Sequence, residues 1–185
     1  IRGVSGSGKS TLVDLIIGFL DNQKNIYYNS GFKDLIFSKN LFSYTTQSPS
    51  ILRGSVVKNI TQKNLNDLTK IERKKIDKIL KICDLHEWSN KINNQVDVKI
   101  EESGKNISGG QKQRLAIARC LYKDSHVYIF DEATGSLNVE SRLKIVDSML
   151  KYLSDKTVIY ISHNLDEKKF FKNTLELKNN QLYEK

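Results

Sequence analysis

Nine consecutive residues, Gly3-Val4-Ser5-Gly6-Ser7-Gly8-Lys9-Ser10-Thr11, carry the densest chemical signal in the chain. Gly3, Gly8, Lys9 and Ser10 meet the spacing G-x-x-x-x-G-K-[ST], in which a curled backbone aims its N–H groups at a chain of phosphates. Gly6 adds a position without a side chain, so nothing screens those donors. Lys9 is expected to reach the β- and γ-phosphates, and Ser10 to place its hydroxyl on the accompanying Mg²⁺.

Three further groups of residues suit the same chemistry. Asp131-Glu132 closes the apolar run Val127-Tyr128-Ile129-Phe130, which reads as a strand buried on both faces of a parallel sheet. Ligands of such sheets gather at the carboxyl ends of the strands, so Asp131 is expected to face the magnesium and Glu132 the attacking water. Gln47 ends another expected strand, over 41–46, from which its side-chain oxygen would reach the same magnesium and water. The run Ser108-Gly109-Gly110-Gln111 opens an apolar helix, with Ser108 in the N-cap region and the glycines baring N–H donors. That is a second anion-binding surface in one small chain, and two copies sharing their nucleotides is the simplest way to use both.

The elements that must position these groups follow from hydrophobic period. Residues 9–20 are expected to form a buried helix whose N-terminus underlies the glycine loop. Short strands are expected at 26–28 and 157–161, the latter delivering Ser162-His163, and an edge strand at 174–177 before a polar end. A turn is expected at Asn29-Ser30-Gly31. Helical spacing of Ile71, Ile76, Ile79, Leu80, Ile82, Cys83 and Leu85 marks 54–89 as an inserted helical lobe, with His86 and Trp88 as packing residues. A charged loop at 98–104, an amphipathic helix at 139–153 and a short helix at 165–171 complete the pattern. A phosphate loop needs a strand feeding it, and Ile1-Arg2 leaves room only for the end of one, so an upstream strand is expected.

Bulk properties set the class. The 185 residues are 38% hydrophobic and 28% charged, which excludes disorder and suits one globular domain. The net charge of +9 is spread along the length without arginine-rich blocks, so the lysines read as a solvated surface, with weak attraction to acidic lipid as the next reading. Cys83 and Cys120 lack paired spacing and read as buried free thiols.

In order, these residues resemble the nucleotide-binding domain of the ATP-binding cassette (ABC) family over essentially the whole chain. Residues 3–11 resemble the Walker A loop, Gln47 the Q-loop, 107–111 the signature motif, 130–132 the end of Walker B, and His163 the switch histidine. The resemblance implies an α/β fold of P-loop NTPase (RecA-like) type. Its parallel-sheet core would lie at about 1–53 and 123–185, with the helical and signature subdomain at about 54–122. It implies ATP and Mg²⁺ as cofactors, Glu132, His163 and Gln47 as catalytic residues, and Ser10, Gln47 and Asp131 at the metal. It also implies a partner, a second ABC ATPase domain, whose Ser108, Gly109, Gly110 and Gln111 close on ATP held by residues 3–11.

Within the family, Gln47-Ser48-Pro49, 52–56 and Asn59-Ile60 are similar to the exporter pattern, as is the loop 100–104, although Glu101 and Val98 stand where exporters have Gly and Thr. The resemblance therefore implies ATP-driven export, of lipid-linked sugar, polysaccharide, lipid or peptide. The transmembrane domain would belong to the same longer chain, the ATPase would sit on the cytoplasmic face of the membrane, and nucleic acid is not expected as a partner. Asn138 stands where the family carries Asp, removing a charge that would face the partner's phosphate loop, and Ile107 replaces Leu. Two other classes fit less well: a soluble ABC ATPase acting on nucleic acid or ribosomes, and a weakly active partner in a heterodimeric transporter.

Overall fold

A computed structural model describes residues 1–4, 6–20, 41–89 and 99–185. Ser5, the expected strand at 26–28, the turn at 29–31 and Val98 lie outside the described residues.

The centre is a parallel sheet of three strands in the order β1-β4-β5: β1 (Phe42–Thr45), β4 (Val127–Asp131) and β5 (Thr157–Ile161). The register pairs Phe42 with Val127 and Val127 with Thr157, and it runs up to Asp131 opposite Ile161. Both faces are covered, as a parallel sheet requires. Tyr128, Phe130 and Tyr160 face the main core with the helices α5 (Gly109–Tyr122) and α6 (Val139–Tyr152). Ile129 and Ile161 pack on the other face with Val13 of α1 (Lys9–Ile16). This is the α/β, RecA-like arrangement expected.

Ile1 and Arg2 extend the sheet beyond β5. Ser162 N donates to Ile1 O at 3.3 Å, and Leu177 N donates to Arg2 O at 2.7 Å. Arg2 thus bridges to β6 (Leu175–Lys178), which pairs antiparallel with β7 (Gln181–Glu184). The expected edge strand is therefore flanked on both sides, and the polar end is a strand. Asn179 and Asn180 make the turn at φ 50° and 60°, the left-handed pair that a two-residue hairpin favours.

The remaining helices gather around α5. After β2 (Gly54–Ser55) come α2 (Val56–Thr61), capped by the Ser55 hydroxyl, and α3 (Lys70–Ile82), opened by a Thr69/Glu72 capping box. A short α4 (His86–Ser89) follows. Ile76, Ile79 and Leu80 of α3 are buried, but Ile71 is 80% exposed and leaves the expected apolar face. The charged loop at 98–104 contains β3 (Lys99–Ile100), paired antiparallel with β2, and Ile100 is fully buried. Cys83 and Cys120 are buried free thiols, and burial pushes the Cys120 thiol up to about 12.

Two expected helices are shorter than their apolar patterns. α1 stops at Ile16 instead of running to Leu20, because Gly18 at φ 80° closes a Schellman motif. Phe19 N donates to Asp14 O at 2.8 Å and Gly18 N to Leu15 O at 3.2 Å, and Phe19 and Leu20 are left exposed. Of α1 only Lys9 and Val13 are buried. The helix expected over 165–171 is a single 3₁₀ turn, Lys168–Phe170.

Candidate active site

Gly3, Val4 and residues 6–8 lie between the sheet and α1, where close approach decides what fits. A side chain at Gly3 would meet Leu177 O at 2.6 Å and Ser7 Oγ at 2.7 Å, so only glycine fits against β6. Gly8, at φ 92°, precedes α1 without supplying a side-chain cap, and no acidic residue occupies the first turn. The first N–H groups of α1, on Lys9, Ser10 and Thr11, therefore keep their hydrogen-bonding capacity for an anion. Val4 is exposed, and the buried Ser7 hydroxyl has no partner among the described residues. Lys9 is only 6% exposed and folds back over the loop, its Nζ donating to Gly3 O (3.0 Å) and Val4 O (2.9 Å).

In the first turn of α1, Ser10 Oγ donates to Asp131 Oδ2 at 2.6 Å, which brings the helix N-terminus against the end of β4. Tyr44 of β1 approaches the same carboxylate oxygen at 3.4 Å. Burial, followed by the Asp131 and Asp14 charges, pushes the Tyr44 hydroxyl up to about 12. Nothing in the sequence singled out this tyrosine, because its partner lies on a strand 87 positions away.

Glu132 leaves the strand in the left-handed region, φ 48°, a conformation costing a non-glycine residue about 1–2 kcal/mol. Its N–H still reaches Ile161 O at 3.0 Å, so the ladder holds while the side chain swings off the end of the sheet. There its two oxygens meet different partners. Gln47 Nε2 donates to Oε2 at 2.8 Å, and His163 Nδ1 lies 3.6 Å from Oε1. Strain at a site that the surroundings hold in place is a recurring sign of function. The segment after β1 that carries Gln47 is pinned by Arg119 of α5 through Ser50 O (2.9 Å), and the same guanidinium holds α2 through Asn59 O (2.7 Å).

Ser108 to Gln111 sit elsewhere. Ser108 caps α5, its Oγ accepting from Gln111 N at 3.2 Å while Gln111 Oε1 accepts from Ser108 N at 2.8 Å. The reciprocal box leaves Gly109 and Gly110 without side chains on the exposed first turn. Their backs lie on the loop after β4: a side chain at Gly110 would meet Leu137 at 3.1 Å. Gln113 Oε1 also accepts from Ser136 N at 2.7 Å. Among the described residues no hydrogen bond or ion pair joins 108–111 to the loop of residues 3–11.

Two clusters thus emerge, a loop with a carboxylate pair and a glycine-rich helix start capped by Ser108, on separate parts of one chain. An ABC transporter family model matches residues 1–135. The chain belongs to the ABC transporter family. This ABC domain is 40% identical over 167 residues to the lactococcin-G-processing and transport ATP-binding protein of Lactococcus lactis subsp. lactis, covering 88% of this chain and 23% of that protein. It is 37% identical to the ATP-dependent lipid A-core flippase of Vibrio parahaemolyticus, covering 88% and 28%. A solved bacterial Atm1-family ABC exporter with ATP bound superposes with a TM-score of 0.79 at 26% identity, over 98% of this chain and 32% of that one. The ABC domain spans about a quarter of the length of these curated relatives. Among the described residues no helix is long and apolar enough to cross a membrane.

A divalent cation fits the donor set. Mg²⁺ is held by one or two carboxylates together with substrate phosphates and water. The Asp131 carboxylate, the Ser10 hydroxyl and the carbonyl oxygen of Gln47 are hard donors of this kind. Among the described residues no cluster of three His, Cys, Asp or Glu side chains stands ready for a metal, so such an ion would draw its other ligands from the phosphates and water.

Proposed function

We propose that the chain binds Mg-ATP in the cradle of residues 3–11 and hydrolyses it, with Glu132 orienting and deprotonating the attacking water. The observation that carries this reading is the environment of Glu132, whose two carboxylate oxygens are taken up by Gln47 and His163 beside the Ser10–Asp131 contact. Lys9 and the N–H groups of α1 hold the phosphates, and the orphaned Ser7 hydroxyl adds a donor. The Mg²⁺ at Ser10, Asp131 and Gln47 would neutralise phosphate charge as a Lewis acid. Gln47 and His163 hold the Glu132 carboxylate, and His163 also faces the γ-phosphate.

Ser108, Gly109 and Gly110 then serve the nucleotide of a second copy or a related domain, with Gln111 fixing the cap that presents them. The helices of 54–122 form a lobe carrying that surface, set on a sheet core made by the rest. Exporter relatives support a place at the cytoplasmic face of a membrane, driving export through transmembrane segments. The cargo is chosen outside this domain, since relatives of similar identity are named for lactococcin-G and for lipid A-core.

Glu132→Gln tests the assignment, being isosteric and unable to take a proton. Mg-ATP affinity is expected to stay within a few-fold, and hydrolysis to fall by about 10²–10⁴. Near-normal turnover would overturn Glu132 as the base.

A further inference from the structure

Glu167 is the most deeply buried carboxylate of this region, 1% exposed against 3% for Asp131. Its Oε1 accepts from the Tyr160 hydroxyl at 2.9 Å and the Thr134 hydroxyl at 3.0 Å, with Arg142 Nε at 3.4 Å. Its Oε2 accepts from Ser162 Oγ. The far side of the Arg142 guanidinium is held by Asp166 at 2.6 Å. A buried carboxylate survives folding only where its acceptor positions are filled in this way.

The groups around Glu167 come from three segments, the hydroxyls by hydrogen bonds and Arg142 by an ion pair. Tyr160 and Ser162 belong to β5 and its end, Thr134 to the loop after β4, and Arg142 to α6. Ser162 directly precedes His163, and its Oγ also accepts from Asn164 N at 3.0 Å, so the turn bearing His163 is fastened on both sides of the histidine. Thr134 follows Glu132 by two positions, and Gly135 N closes that loop onto Glu132 O at 3.1 Å. The imidazole of His163 is 60% exposed and lies 3.6 Å from Glu132. Its placement therefore depends on the turn beneath it.

We infer that Glu167 is a positioning residue of the hydrolytic site: its carboxylate ties the His163 turn to the Glu132 loop and sets the distance between the two side chains. This rests on the reading of Glu132 and His163 given above. Glu167 is buried and acts through Ser162 and Thr134. Removing it frees the His163 turn to drift, and a displacement near 1 Å at a catalytic group lowers the chemical rate by about 100-fold while leaving phosphate binding, made by residues 3–11, in place.

The experiment compares Mg-ATP turnover and Mg-ATP affinity of the full chain with Glu167→Ala, Glu167→Gln and Glu132→Gln made in parallel, with the melting temperature of each. Glu167→Ala is expected to lower kcat by about 10- to 100-fold with KM and affinity changed less than about threefold. Glu167→Gln, which keeps the shape and can still bond the hydroxyls while Asp166 retains Arg142, is expected to restore kcat to within about threefold of the parent. If Glu167→Ala does not fold, Ser162→Ala and Thr134→Val each cut one tie from outside the carboxylate, and each should lower kcat alone. Unchanged kcat in Glu167→Ala or in both single-tie variants overturns the inference, as does a loss of affinity equal to the loss of rate. Should Glu132→Gln itself retain turnover, the reading of the site fails and not this inference alone.

Discussion

Lys9 illustrates what a single residue contributes. An ammonium group 6% exposed is costly unless its protons are taken, and here the carbonyls of Gly3 and Val4 take two of them. Those carbonyls belong to the loop whose N–H groups are proposed to hold phosphate, so Lys9 both shapes the loop and supplies its one fixed positive charge. Charge-assisted hydrogen bonds contribute about 1.5–3 kcal/mol each. Lys9→Ala is accordingly expected to weaken Mg-ATP binding by about 100-fold or more and, because it also removes the bonds to Gly3 O and Val4 O, to lower the melting temperature of the free chain. Titration with a fluorescent ATP analogue checks it, and affinity retained within tenfold would remove Lys9 from the phosphate site. Glu132 shows the opposite economy: about 1–2 kcal/mol of backbone strain is tolerated so that one carboxylate can face both Gln47 and His163.

At the scale of elements, the ends of helices decide more than their middles. Asn138 takes the N-cap of α6, its Oδ1 accepting from Ser141 N at 2.9 Å. Replacement by Ala should destabilise the chain by about 1 kcal/mol, whereas Asn138→Asp keeps the cap and adds a favourable charge at the helix start, worth about 0.3–1 kcal/mol. Thermal melts of the two variants check both signs; equal melting temperatures would mean the cap is idle. Signals confined to short windows were legible in the sequence: the start of α1 after Gly8, the strand end at Asp131 and the Ser108 cap each depend on neighbours within a few positions. The length of α1 was not, because apolar residues continue through Leu20 while a left-handed Gly18 stops the helix. β7 was hidden by its polar composition, although Asn179-Asn180 between two alternating runs is a hairpin signal. Tyr44 and Glu167 could not be found by spacing, since the sheet brings them to partners 87 and 33 positions distant.

For the molecule as a whole, the decisive feature is that, among the described residues, no hydrogen bond or ion pair joins the two proposed anion-binding surfaces. The cradle of residues 3–11 sits where α1 leaves the sheet, and the Ser108-to-Gly110 start of α5 is backed by Ser136 and Leu137. A helix N-terminus presenting unpaired N–H groups to solvent is an incomplete site, and a phosphate chain bound at residues 3–11 of another copy would complete it. On the proposed function, ATP would act as the adhesive between copies, and its hydrolysis, by removing the γ-phosphate, would release them. A variant that binds but does not hydrolyse should accumulate the closed form. Glu132→Gln is therefore expected to double in mass by light scattering on addition of Mg-ATP and to remain a monomer with ADP. Ser108→Arg, which puts bulk and charge on the α5 start, should abolish the doubling while leaving Mg-ATP affinity of the monomer nearly unchanged. A Glu132→Gln chain that binds Mg-ATP yet stays monomeric would show that the cradle suffices for binding and that Ser108 to Gly110 are not ligands supplied to a second copy of this chain.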